Sequence, residues 1–149
     1  MNIDYSGMIL AAGFGKRMMP LTKNIPKPLI EINGVTLLGN SIDFLNKLGC
    51  KEIIINTHYH NELISKFVEN RHDKKKIKII FEKEILDTGG GVKNAISFFS
   101  TKNILVVNSD IYWQKNNLKD AMSLIKSFQK SNKSHLLLTK KKKLNIHKL

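Results

Sequence analysis

Leu10-Ala-Ala-Gly-Phe-Gly-Lys-Arg-Met-Met-Pro-Leu-Thr-Lys-Asn-Ile-Pro-Lys-Pro28 is the stretch on which the reading of this chain turns. It follows Met8-Ile-Leu10, an apolar run that reads as the end of a buried strand. Gly13 and Gly15 are expected to let the backbone take positive φ and come close to a ligand. Consecutive N–H groups in such a turn form a concave anion nest. Lys16, Arg17 and Lys27 put three cations on one loop, and Pro20, Pro26 and Pro28 limit its movement. A stiff, cationic loop behind a buried strand is suited to phosphate groups.

The stretch fits neither of two common phosphate loops. A dinucleotide fingerprint needs a third glycine where Met18 stands, and a Walker A loop needs Ser or Thr where Arg17 follows Lys16. It resembles instead the signature of the sugar-1-phosphate nucleotidyltransferases, L-A-A-G-x-G-x-R-[ML]-x-P-L-T-x-x-x-P-K-P. Every fixed position of that pattern is met between Leu10 and Pro28.

Working outward, Leu29 to Val35 alternates like a short strand and contains an Asn33-Gly34 turn signal. Apolar residues at 37, 38, 42, 45 and 48 predict a helix closed by Gly49. Strands are predicted at Ile53–Ile55, Ile77–Phe81, Ile104–Val107 and His135–Leu138. Helices are predicted over Asn61–Arg71 and Leu118–Phe128, and another from Val92 to Phe99, entered through a loop (Glu82–Thr88) and Gly89-Gly-Gly91. Nearly all-apolar strands alternating with amphipathic helices imply a mostly parallel sheet covered on both faces, a Rossmann-like, doubly wound α/β fold. In a 3-2-1-4 strand order, the first and fourth strands flank the point where the order reverses, where such sheets bind ligands. The phosphate loop and Asp110, just past the fourth strand, then face each other.

A carboxylate at that strand end commonly holds Mg²⁺ against phosphate oxygens. The resemblance implies in-line displacement at the α-phosphorus of a nucleoside triphosphate by a sugar 1-phosphate, with pyrophosphate leaving. It implies that Arg17 and Lys16 hold the β- and γ-phosphates, Lys27 neutralises the phosphates that meet, and Asp110 carries the metal. Leu10, Ala11, Ala12, Gly13 and Gly15 form the nucleotide cradle in that scheme. Glu82-Lys-Glu-Ile-Leu-Asp-Thr-Gly-Gly-Gly91 is similar to the family's base-and-sugar loop, which makes Glu82, Thr88, Gly89 and Gly90 nucleotide contacts. Glu82 there suits a ring N–H of uracil, thymine or guanine. Asn108 is read as a ribose contact or a structural strand end. His58 and His60 lack partners at metal-ligand spacing and are read as a sugar rim. Tyr112 and Trp113 are read as a sugar-pocket wall or as packing.

Within the family, Asp87-Thr-Gly-Gly-Gly-Val92 and Val106-Val-Asn-Ser-Asp-Ile-Tyr-Trp113 are most like N-acetylmuramate-1-phosphate uridylyltransferases, with mannose-1-phosphate guanylyltransferases next. The family supplies a sugar pocket and a second metal aspartate after the Asp110 strand. By that standard the C-terminal half of the domain is missing. Residues 1–139 read as the nucleotide-binding part, and 140–149 as a Lys-rich tail, out of frame or disordered. Weak nucleotide binding and little turnover by this polypeptide alone are the corresponding expectation.

The bulk properties exclude other classes. At 149 residues and 42% apolar content the chain has material for about one domain with a core. No apolar run reaches membrane-spanning length, no signal peptide is read at the N-terminus, and a lone Cys50, assigned to packing, suits the cytoplasm. The net charge of +13 raises nucleic-acid binding. Yet only Arg17 and Arg71 are arginine among 25 basic residues, and base-reading surfaces lean on Arg and interleaved aromatics. The expected partners are a nucleoside triphosphate and a sugar 1-phosphate, not nucleic acid or a membrane.

Overall fold

The computed structural model describes residues 4–131 and 133–137. The chain divides into two compact units, 1–114 and 115–149. In the first, four parallel strands form one sheet: β1 (Tyr5–Ala11), β4 (Ile53–Thr57), β5 (Ile77–Phe81) and β6 (Asn103–Asn108), in the order β5-β4-β1-β6. This is the 3-2-1-4 order under which the first and fourth strands flank the reversal. A small antiparallel hairpin, β2 (Glu31–Ile32) and β3 (Val35–Thr36), turns at Asn33 (φ 52) and Gly34 (φ 75). Left-handed φ at both turn positions is what an Asn-Gly pair accommodates.

Helix α1 (Leu37–Leu48) begins where Thr36 accepts the Gly39 N–H on its side-chain oxygen, and ends at Gly49 with φ 88. Apolar spacing in the sequence predicts the start and Gly49 the stop; the Thr36 cap is added by the structure. Helix α2 (Asn61–Glu69) is somewhat shorter than predicted. Helix α3 (Asp87–Ala95) starts earlier than predicted and contains all three glycines. At Gly91 the reason is contact: a Cβ there would lie 2.8 Å from the Asn56 side chain and 3.0 Å from that of Glu82.

Strand parity divides the core. Met8, Ile54, Ile80 and Ala95 pack on the α3 face, with Leu10, Val92, Phe99 and Ile104 around them. Gly7 faces α1, where a Cβ would strike Leu45, and a Cβ on Gly39 would touch Phe67 of α2. Leu38, Ile42, Leu45, Ile53, Ile55 and Ile64 are fully buried, at roughly 1.5–3 kcal/mol each. Cys50 is buried with them and its thiol is pushed up to about 12 by burial, as a packing residue requires.

The second unit begins with α4 (Lys115–Gln129), which covers the predicted 118–128 helix. His135–Leu137 are in no strand, contrary to the prediction for 135–138. A short apolar run carries no periodicity that separates a strand from an irregular segment. Leu138 and the 139–149 tail lie outside the described residues. No described helix is long and apolar enough to cross a membrane.

Candidate active site

The chain order reverses between β1 and β6, and their carboxyl ends are joined where the Ser109 N–H donates to the Leu10 carbonyl at 3.1 Å. From Ala12 the phosphate loop runs through Gly15 (φ 65) into a 3-10 turn at Lys16–Met18. It then doubles back. Thr22 Oγ1 donates to the Gly15 carbonyl at 2.9 Å, and a second 3-10 turn at Lys27–Leu29 follows Pro26. A Cβ on Gly15 would lie 3.1 Å from Thr22 and 3.2 Å from Lys27, so glycine lets the return strand of the loop close over it. Gly13 departs from expectation: its φ is not positive. It is exposed with open space beside it, which leaves room for a ligand at the backbone.

This folding gathers Leu10, Ala11, Gly13, Gly15, Lys16, Arg17, Lys27, Asn108 and Asp110 around one cavity of about 320 Å³, together with Met18, Pro28 and Ser109. Lys27 Nζ lies 2.6 Å from Asp110 Oδ2, the two side chains 25% and 40% exposed. Lys16 Nζ sits 5.0 Å from the Phe14 ring centroid, a cation–π distance. Three cations against one carboxylate give the cavity a positive balance of charge, which favours anions.

Its fit to a divalent metal can be judged from the donors. Asp110, Asn108 and Ser109 offer hard oxygens, which suit Mg²⁺. Among the described residues no group of three His, Cys, Asp or Glu forms a protein cage. The donor set therefore fits an ion that takes most of its ligands from bound phosphate and solvent.

The other predicted residues lie elsewhere. Ala12 is buried beside the loop, and Thr88 and Gly89 are exposed in the first turn of α3. Gly90 sits against Leu86, where a Cβ would come within 2.9 Å. Glu82 is 2% exposed; Oε1 accepts from Asn56 Nδ2 at 2.8 Å and Oε2 from the Leu86 N–H at 3.3 Å. His58 and His60 do not rim this cavity. His58 Nδ1 is 2.8 Å from the Glu82 carbonyl, and His60 contacts Glu62 and the Lys23 carbonyl. Trp113 also resolves to packing: its ring stacks on Phe44 at 4.3 Å, and its backbone N–H donates to Asn40 Oδ1 at 2.6 Å.

Sequence reasoning passed over the loop's supports. The Tyr59 hydroxyl donates to the Thr22 and Lys23 carbonyls at 3.3 and 3.0 Å, and Asn56 Oδ1 accepts the Ala11 N–H at 3.0 Å. A signal for Asn56 was available. A polar residue ending the apolar run Ile53-Ile-Ile55 must find partners if buried.

With that geometry in view, comparison with known proteins is informative. The model of the nucleotidyl transferase family matches residues 6–145. The N-acetylmuramate alpha-1-phosphate uridylyltransferase of Caulobacter vibrioides is 36% identical over 110 residues, covering 71% of this chain and 46% of its own length. The D-glycero-alpha-D-manno-heptose 1-phosphate guanylyltransferase of Aneurinibacillus thermoaerophilus is 33% identical, over 69% of this chain and 45% of the relative. Among solved structures, HddC from Yersinia pseudotuberculosis complexed with GMP-PN superposes with a TM-score of 0.66 at 31% identity, over 80% of this chain and 53% of that one. The CTP:phosphocholine cytidylyltransferase of Streptococcus pneumoniae gives 0.62 at 31%, over 76% and 48%. The chain thus spans about half the length of these relatives. Its cationic loop, its switch-point cavity and the match across 6–145 lead to one conclusion: the chain belongs to the nucleotidyl transferase family.

Proposed function

We propose that this chain serves the transfer of a nucleotidyl group from a nucleoside triphosphate to a sugar 1-phosphate, giving a nucleotide sugar and pyrophosphate. The observation that carries the reading is the cavity at the switch point, where Lys16, Arg17 and Lys27 face Asp110. An oxygen of the sugar phosphate attacks the α-phosphorus, and the bond to the pyrophosphate oxygen breaks with its electron pair leaving on pyrophosphate. The attacking oxygen is already anionic, so no strong general base is required. Positioning and charge neutralisation do most of the catalysis.

On this reading Arg17 grips the leaving phosphates with its planar fork, and Lys16 adds a second cation beside it. Lys27 neutralises the two phosphates as they approach. Its contact with Asp110 means that the amine exchanges a carboxylate for phosphate when the ligand enters. Mg²⁺ held by Asp110 and phosphate oxygens would supply further charge neutralisation. Leu10, Ala11, Gly13 and Gly15 would bring backbone close to the nucleotide, and Asn108, which lines the same cavity, would meet the ribose.

The preferred pair is UTP with N-acetylmuramate 1-phosphate, supported by the 87–92 and 106–113 segments and the Caulobacter relative. GTP with a hexose or heptose 1-phosphate is the second reading, supported by guanylyltransferase relatives at 33–36% identity. A thermal-shift screen of the four ribonucleoside triphosphates with Mg²⁺ tests this. UTP should stabilise most and GTP next; ATP or CTP in first place would overturn the assignment.

A further inference from the structure

Asn56 sits at the carboxyl end of β4, 3% exposed, paired in register with Leu10 on one side and Ile80 on the other. Its amide points both ways. Oδ1 accepts the Ala11 N–H where the phosphate loop departs, and Nδ2 donates to Glu82 Oε1 where the loop after β5 departs. Glu82 in turn accepts the Leu86 N–H on Oε2, while its backbone is held by the Thr57 carbonyl and by His58 Nδ1. Gly91 leaves the space above the pair, since any Cβ there would intrude on both side chains. One buried amide thus bridges two loops that leave adjacent regions of the sheet.

We propose that Asn56 is a positioning residue which sets the gap between the phosphate loop and the 82–86 loop, and that nucleotide affinity depends on that gap. The proposal rests on the nucleotide-binding reading above. Asn56 does not line the cavity; it acts through Ala11 and Glu82. A ligand that contacts only the phosphate loop, such as inorganic tripolyphosphate, should be far less sensitive to the gap than a whole nucleotide.

The pairing allows a reciprocal test. Asn56→Asp sets a carboxylate against the Glu82 carboxylate, and Glu82→Gln places an amide donor against a donor N–H. The double change Asn56→Asp/Glu82→Gln restores every bond in reverse: the new amide donates to the new carboxylate, and the Ala11 and Leu86 N–H groups keep acceptors. The 149-residue chain is titrated with UTP, GTP and tripolyphosphate in Mg²⁺, after circular dichroism shows each variant folded at the titration temperature. Each single variant should lose about tenfold or more in nucleotide affinity, with tripolyphosphate changing by no more than about threefold. The double variant should return to within about threefold of wild type.

Should Asn56→Asp not fold, Gly91→Ala makes the same test. It removes no bonding group, but its methyl would lie 2.8 Å from Asn56 Nδ2. Equal losses for nucleotide and tripolyphosphate, unchanged nucleotide affinity in the folded single variants, or no recovery in a folded double variant overturn the proposal. Arg17→Ala serves as the separate control. If wild type binds nucleotide and Arg17→Ala loses it while Asn56 and Gly91 variants do not, only the Asn56 role fails. If wild type binds neither UTP nor GTP, the functional reading fails and takes this role with it.

Discussion

Lys27 and Asp110 show how two residues 83 positions apart become one device. Asp110 stands just past the carboxyl end of β6, and Lys27 is carried to it by the loop that leaves β1 and doubles back through the Lys27–Leu29 turn. A partly exposed pair of this kind contributes only about 0–1 kcal/mol to stability, so its importance is chemical. On the proposed reading, the carboxylate would be shared between this internal cation and a metal that arrives with phosphate. This gives Asp110→Asn an asymmetric outcome. Nucleotide affinity measured in Mg²⁺ should fall by about tenfold or more, the loss of one charged ligand. Affinity in EDTA should stay level or rise, because Lys27 is released to the phosphates. Equal losses in both buffers would remove Asp110 from the metal site.

Elements differ in how far the sequence discloses them. Helix α1 was legible from its apolar spacing and from Gly49, which acts within one turn of the helix it closes. The turn between β2 and β3 was legible from Asn33-Gly34 for the same reason, whereas the return strand was not. The phosphate loop was legible as a cationic, glycine-bearing segment, but its conformation was not. Left-handed φ falls at Gly15 and not at Gly13, because the closing contacts come from Thr22 and Lys27 farther along the chain. Glu82 marks the limit most clearly. In sequence it stands between Phe81 and Lys83 at the mouth of a loop, as an accessible carboxylate would. In the fold its partner is Asn56, 26 residues earlier, and the pair is buried under Gly91. Nothing local to residue 82 encodes that burial. The start of α3 was misjudged in part for the same cause, since Gly91 answers to contacts with Asn56 and Glu82 rather than to helix propensity.

At the scale of the molecule, the opposite end of the sheet carries a charge that ties pH to stability. Glu52, 8% exposed, accepts from the Ser100 N–H at 2.5 Å, Ser100 Oγ at 2.6 Å, Ser6 Oγ at 3.0 Å and Lys78 Nζ at 3.0 Å. Burial alone would raise its pKa, but the bonds from Ser100, Lys78 and Ser6 outweigh it and hold the group at about 2, below the ordinary 4.5. A depressed folded-state value means the unfolded chain takes up the proton first as pH falls. The stabilisation is therefore complete above about 4.5 and is lost as pH falls from there through about 2. Urea unfolding should show wild type losing about 2 kcal/mol between pH 6 and pH 3 from this group, and Glu52→Gln should lack that part of the slope. Parallel pH profiles for the two proteins would show that Glu52 does not titrate with folding.

On the proposed reading, one end of the sheet carries a cationic loop that takes the triphosphate of a nucleotide. Calorimetric titration of wild type and Arg17→Ala with UTP in Mg²⁺ tests it most directly. A charge-assisted grip on the leaving phosphates in such a site is worth about 2–4 kcal/mol, so the variant should bind roughly 30-fold or more weakly while its unfolding curve stays unchanged. Equal UTP affinity in the two proteins would contradict the assignment of the Leu10–Pro28 loop to phosphate.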